Sequence, residues 1–278
     1  MLTQEFMRNA LLAGSAIAIA SGAVGYFVVL RAQVFAGDAL SHAAFTGVLA
    51  AALAGVDLRI GLFAATIAVA LLFAALGERL QVDDVAIGVV FAWVLGLGAL
   101  FLYLFNRGAG GGNGVIAART LFGSIFDLTF SQTVVALAIA AIIAVGLAAI
   151  ARPLLYATIA PQTASARGVR VGLLGALFLV LLAVDAGEAT QAVGALLLLG
   201  LIAAPAGAAL RLTANPLRGL LLSVVFGLAS IWLGTTAAYL IPTLPPSSAI
   251  IGVAVAIYAF TALATVSDLH HLPGRSRL

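Results

Sequence analysis

An aspartate and a histidine, Asp38 and His42, stand inside the run Gly37-Asp38-Ala39-Leu40-Ser41-His42-Ala43, in the middle of an apolar stretch. One helical turn separates them, so on a helix both side chains leave from the same face. A charge at the centre of a bilayer costs roughly 2.5–3.5 kcal/mol on insertion scales, and such residues point to a functional interior rather than to lipid. Carboxylate oxygen and imidazole nitrogen together suit divalent transition metals. The pair therefore predicts a metal route through a membrane. Two ligands from one helix leave a shell open, since zinc usually takes four. The missing donors must come from another helix, from backbone carbonyls at a break, from water or from a symmetry mate. An incomplete shell suits transport, because a pathway site must release what it binds.

Asp185 and Glu188 are the candidate further metal donors, three positions apart and so within one helical turn. The apolar pattern places them where the sixth and seventh spans meet, at the outer end, in a solvated helix break. Ser41 and Thr46 read as helix-packing hydroxyls. Asp57 and Arg59 bound an external turn, and as an exposed pair they contribute little.

The elements that must position these groups follow from composition. Of 278 residues, 64% are hydrophobic and 8% charged, whereas a soluble domain carries about 25% charge. Apolar runs near the length of a bilayer recur along the whole chain, which predicts an all-α, polytopic transmembrane helical bundle forming one domain over 1–278. Nine spans are expected, near 8–30, 34–55, 59–77, 85–105, 131–151, 171–186, 190–210, 217–240 and 248–266. The sixth is short, and its fusion with the seventh would leave eight. Pro205, inside Ala203-Ala204-Pro205-Ala206-Gly207, is expected to kink the seventh.

Arginine bias sets orientation. With the amino terminus outside, Arg31, Arg79, Arg152, Arg167, Arg170, Arg211, Arg218, Arg275 and Arg277 face the cytoplasm, and Arg8, Arg59, Arg107 and Arg119 face out. Residues 106–130 then form a long external connection whose glycine tract, 108–114, reads as flexible. Residues 152–170 form the longest cytoplasmic connection. The proline-rich stretch Ile241-Pro242-Thr243-Leu244-Pro245-Pro246 is a rigid external turn.

Several chemistries are excluded. The chain contains no cysteine, so disulfides, thiolate metal sites and a cysteine nucleophile are absent. It also contains no lysine, the basic residues all being arginine, so a G-x-x-x-x-G-K-[ST] nucleotide loop is impossible. Arginines scattered at segment ends make no nucleic-acid surface. A metalloprotease helix of the H-E-x-x-H type is missing.

Several collinear segments resemble the integral-membrane permease subunit of bacterial ABC importers for zinc, manganese or iron. They are Phe27-Val28-Val29-Leu30-Arg31 followed by Gly37 to Ala43 and Gly47; Leu121-Phe122-Gly123-Ser124-Ile125; and Gln191 to Leu197 leading into Ala204-Pro205-Ala206 and Leu210-Arg211-Leu212-Thr213. The resemblance implies a homodimeric permease in the bacterial cytoplasmic (inner) membrane. It implies two copies of a cytoplasmic ATP-binding subunit and an extracytoplasmic metal-binding protein that delivers the cargo. It assigns Asp38 and His42 to the metal pathway. It also implies a short cytoplasmic helix that docks on the ATPase, matched here by Ala164-Ser165-Ala166-Arg167-Gly168-Val169, with Ala164, Arg167 and Gly168 as contacts. The chain departs from the family at Pro161-Gln162, where an acidic residue is frequent, and at Thr46, where a proline is common.

The function expected is passage of a divalent transition metal by alternating access, with no bond chemistry and no permanently bound cofactor on this chain. ATP hydrolysis is expected on the partner. Affinity order at a nitrogen and oxygen site favours zinc over manganese and iron. The competing reading is a proton-coupled secondary carrier or channel in which Asp38 and His42 shuttle protons.

Overall fold

The structure is a computed structural model and describes residues 4–77, 83–108 and 114–270. Among these residues every regular element is helical. The helices are α1 (Glu5–Leu30), α2 (Val34–Ala54), α3 (Leu58–Leu76), α4 (Asp84–Gly108), α5 (Gly114–Phe122), α6 (Phe130–Ile159), α7 (Pro161–Ala166), α8 (Val171–Val193), α9 (Leu198–Leu212), α10 (Pro216–Leu240) and α11 (Pro246–His270). A single 3₁₀ turn, Ile125–Asp127, joins α5 to α6. Eight helices are long and apolar enough to cross a membrane, and α9, with 15 residues, is shorter.

Helices dominate because hydrocarbon offers no partner to backbone N–H and C=O groups, so each segment must satisfy its own. Their ends carry local signals. Asn215 accepts hydrogen bonds from the N–H groups of Leu217 and Arg218 and caps α10, with Pro216 in the first turn. Thr129 and Gln132 close a reciprocal capping box at the start of α6. The turn after α10 carries a Leu244 N–H to Ile241 carbonyl bond before α11 begins at Pro246, as the prolines of that stretch predict.

Two groups of helices share the bundle. One packs α2 against α3 and α4; the other packs α1 against α10, α6 and α9, with α11 on α10 and α9. Helix α8 touches α1, α2, α3 and α6 and so joins them. Small residues set the closest crossings, as expected where lipid supplies little drive for helix association. The backbones of Gly47 on α2 and Gly61 on α3 approach so closely that a Cβ on either would overlap the other's carbonyl. Gly22 of α1 meets Val224 of α10 in the same way, and the Ser223 hydroxyl donates to the Gly22 carbonyl at 2.6 Å.

Three expectations about the elements change. The sixth span is not short: α8 continues through Asp185 and Glu188 to Val193, and the break falls at Gly194–Leu197. Polar groups buried against protein rather than water do not end a helix. The seventh segment then runs from Leu198 through Pro205 to Leu212 without interruption. It lies parallel to α11, because Gly200 faces Ile251 and Gly207 faces Tyr258, a shift of seven residues on each helix. Second, much of the external connection is ordered, with 114–122 forming α5 packed on α2 and α8; the flexible reading of the glycine tract rests mostly on 109–113, which lie outside the described residues. Third, Arg31 does not reach cytoplasmic water. It is 2% exposed, in a three-residue turn between α1 and α2, with its guanidinium 4.6 Å from the Phe178 ring centroid.

Candidate metal site

Helix α2 delivers the pair predicted from spacing. Asp38 Oδ1 and His42 Nε2 lie 3.9 Å apart on one face, their side chains 21% and 13% exposed respectively. That separation is too long for a direct hydrogen bond. Two donors each about 2.1 Å from a tetrahedral ion stand about 3.4 Å apart, so a small side-chain adjustment lets both reach one cation. The His42 ring packs on Phe91 of α4 with centroids 5.2 Å apart, which fixes one wall. Depth follows from α8: Gly37 faces Leu182, midway along that helix, while Arg31 lies on Phe178 one turn nearer the end that begins at Val171. The pair therefore sits well inside the bundle, and the buried Arg31 lies toward the end of α8 that begins at Val171.

The neighbouring hydroxyls act as packing groups. Thr46 Oγ1 donates to the Val94 carbonyl of α4 at 3.0 Å. The buried Ser41 hydroxyl lies 2.7 Å from the Asp38 carbonyl and 3.0 Å from the Ala195 carbonyl in the α8–α9 break.

Asp185 and Glu188 are not solvated caps, and they do not complete the Asp38–His42 shell. They are 1% and 6% exposed, inside α8. Asp185 Oδ1 accepts a 3.0 Å bond from Ser21 of α1, and its Oδ2 has no hydrogen-bond partner. Glu188 Oε2 accepts from Gln191 Nε2 at 3.2 Å. Both acids line a narrow crevice with Ile17 and Ala20 of α1 and Ala136, Ile139, Ala140 and Ile143 of α6. Among the described residues no three His, Cys, Asp or Glu side chains gather closely enough to hold a metal ion. The helical twist that brings 185 and 188 together turns them toward α1 and α6 rather than toward Asp38.

Arg59 departs from its expected exposed pairing. Asp57 caps α3 by accepting the Arg59 backbone N–H at 2.8 Å. The Arg59 side chain turns inward, its charge acts on Glu188, and its Nη2 has no hydrogen-bond partner. It lines an open cavity of about 300 Å³ with Asp57, Arg119, Thr120, Ser124 and Gln191. Arg119 of that lining is paired with Asp127 at 2.6 Å.

At the other end of the molecule α7, Pro161–Ala166, overlaps only the first half of the stretch 164–169 matched to a short helix, and Arg167 and Gly168 lie in the turn after it. Its Ala164 is fully buried, so it anchors the helix rather than offering a contact. Arg167 and Gly168 are exposed. Arg167 stacks 5.9 Å from the Tyr156 ring of α6, and Gly168 takes φ +81°, a left-handed turn suited to glycine.

Spacing alone missed the burial of Arg31 and the inward turn of Arg59. The first had no local signal, since Ala32 in the same three-residue turn is exposed. The second had none either, because nothing in the local pattern separates it from an exposed turn arginine.

A family profile described as the ABC 3 transport family matches residues 3–265. The manganese import system permease protein ScaB of Streptococcus parasanguinis is 31% identical over 235 residues, 82% of this chain and 80% of that protein. A probable iron transport system membrane protein of Haemophilus influenzae is 29% identical, over 84% of this chain and 85% of its own length. Among solved structures, PsaBC from Streptococcus pneumoniae in complex with Fab matches at a TM-score of 0.81 and 26% identity, covering 94% of this chain and 92% of that one. With the profile spanning nearly the whole bundle and the same helical fold in PsaBC, the chain belongs to the ABC 3 transport family and is a multi-pass permease of the metal-transport type.

Proposed function

We propose that this chain is the membrane subunit of an ATP-driven importer that moves a divalent transition metal past Asp38 and His42 into the cytoplasm. The observation that carries the reading is the pair itself: an oxygen and a nitrogen donor 3.9 Å apart on one face of α2, deep in the bundle yet still partly open. Two such donors hold a divalent ion weakly enough to let it go. The rest of the shell is supplied by water or by a second copy of the chain, which fits a homodimer with the route between its subunits. Asp185 and Glu188 serve as an acidic element beside that route rather than as ligands shared with Asp38.

With no lysine for a nucleotide loop, hydrolysis falls to a separate ATP-binding subunit, in two copies, docked on α7 through Arg167 and Gly168. An extracytoplasmic binding protein delivers the metal at the opposite face, and the assembly sits in the bacterial inner membrane. Manganese is the cargo best supported, because relatives matched over about four-fifths of their length are named for manganese or iron. Zinc is the second reading, favoured by the affinity order at a site with an imidazole.

The test is uptake in cells lacking this chain, complemented by the native sequence, Asp38→Ala or His42→Ala, with manganese, zinc and iron supplied separately. Native complementation with one metal and at least tenfold loss in both variants, at equal membrane abundance, is expected. Native transport in both variants refutes the pathway.

A further inference from the structure

We infer that Ser41 is a positioning residue for metal passage: its hydroxyl latches the Asp38–His42 turn of α2 to the broken segment between α8 and α9. This rests on the permease reading above and adds to it the group that sets where the two donors stand.

The latch begins with one proton and two acceptors. A serine hydroxyl donates a single hydrogen bond at a time. Here it lies 2.7 Å from the carbonyl of Asp38, in its own helix, and 3.0 Å from the carbonyl of Ala195. Ser41 is fully buried, so water does not compete for the proton. On α2 it stands between the two donors, immediately before His42 and three residues after Asp38. A rotation or slide of this turn moves both donors, and the Ala195 carbonyl is what Ser41 holds against.

That carbonyl belongs to a rigid mount. The Ala195 N–H donates to the Thr120 carbonyl at 3.0 Å, the Leu196 N–H to the Leu121 carbonyl at 3.2 Å, and the Ser124 N–H to the Gln191 carbonyl at 3.3 Å. Gly123 and Gly194 take φ +71° and +94°, and their backbones meet where no Cβ would fit. The Ser247 hydroxyl ties the same loop to α11 through the Phe122 carbonyl at 2.6 Å. Three segments distant in sequence, 119–124, 191–197 and the start of α11, are thus one clasp, and Ser41 is where α2 is fastened to it.

Two acceptors also give the latch two positions. With the proton on the Ala195 carbonyl, the metal turn is held in register. With the proton on the Asp38 carbonyl, the turn is free of the clasp and no buried hydroxyl is left unsatisfied. A motion of the external segment 114–127 reaches the donors through this contact, which places a mechanical link between the delivery face and the site.

The experiment uses the assembled transporter, permease with its ATP-binding subunit and binding protein, reconstituted in proteoliposomes with Mn²⁺ as the probe. The readout is metal moved per ATP hydrolysed, which a loss of fold alone leaves unchanged, since both rates then fall together. Ser41→Ala removes the donor, and Ser41→Cys keeps a side chain of at least the same size but donates weakly. Loss of one buried hydrogen bond predicts a fall of about fivefold to tenfold in that ratio for Ser41→Ala, and a fall of the same direction for Ser41→Cys, with ATP hydrolysis within about twofold of native. An unchanged ratio in Ser41→Ala, or a normal ratio in Ser41→Cys beside a defective Ser41→Ala, overturns the latch; the second result would show that volume and not the hydrogen bond matters. Should Ser41→Ala fail to assemble, Ser41→Cys alone decides. Asp38→Ala in the same vesicles separates the two levels: normal transport there removes the permeation reading itself, whereas a dead Asp38→Ala beside a native Ser41→Ala removes only the latch.

Discussion

At the scale of single residues, the chain spends its few polar groups in buried contacts. Asp185 is the sharpest case, a carboxyl 1% exposed whose Oδ1 takes a hydrogen bond from Ser21 while Oδ2 has none. Removing the donor leaves the whole carboxyl unsatisfied, at a cost of about 1–3 kcal/mol for a buried polar group. Ser21→Ala is therefore expected to lower the thermal unfolding midpoint of the detergent-solubilised protein by several degrees, while Ser165→Ala, exposed on α7, leaves it unchanged. An unshifted midpoint in Ser21→Ala would mean that the carboxyl is satisfied elsewhere. The residue types were legible in the sequence here, but their surroundings were not. Asp38 and His42 declared themselves because an i,i+4 spacing puts them on one face whatever the helix packs against. The direction in which Asp185 and Glu188 point depends on which helices lie beside α8, and no local pattern encodes that.

At the scale of elements, apolar length carried most of the prediction. The eight long helices follow from runs that match a bilayer, and three of their starts from the caps Asp57, Thr129 and Asn215. The α8–α9 break was misplaced for a physical reason. Inside a uniformly apolar sequence the polar residues 185–190 looked like the interruption, whereas the backbone breaks at Gly194, beside no charge at all. What breaks it is tertiary: the clasp with Gly123 needs a left-handed residue with no Cβ. Gly194→Ala must force φ +94° on an alanine and drive its Cβ into the backbone of Leu121 and Phe122. It is expected to cost more than 2 kcal/mol, roughly 1–2 from the left-handed backbone alone, and to abolish recovery of a monodisperse protein by size exclusion. Gly88→Ala, with nothing within 4 Å of the added carbon, is expected to be neutral. Equal yields of the two would show that the break tolerates a side chain.

At the scale of the whole molecule, the proposed drive by a partner's ATP hydrolysis needs a path into a chain that has no nucleotide loop of its own. Helix α6 has 30 residues, about 45 Å of helix at 1.5 Å per residue, against roughly 30 Å of hydrocarbon. Such a surplus is taken up by tilt or by overhang, and α7 follows the end of α6 as a spur. The spur is stiff because Ala164 is fully buried beneath it, Arg167 stacks on Tyr156 of α6, and Gly168 turns the chain back toward α8. On the proposed docking, a push on α7 would pass to α6 and α8, both of which pack on α1, and α8 packs on α2 as well. The segment proposed to dock could be located in the sequence only through family likeness; which of its residues face out could not, and Ala164 proved to be buried. Arg167→Glu reverses the exposed charge and also removes its stack on Tyr156. It is expected to cut co-purification of the ATP-binding subunit with the tagged permease by about tenfold, the order of 1–2 kcal/mol for one interfacial charge contact, and to cut metal uptake in parallel. Arg8→Glu, an exposed charge at the opposite end of α1, is expected to change neither. Full recovery of the ATP-binding subunit with Arg167→Glu would move the drive contact away from α7 and would leave the length of α6 without its mechanical purpose.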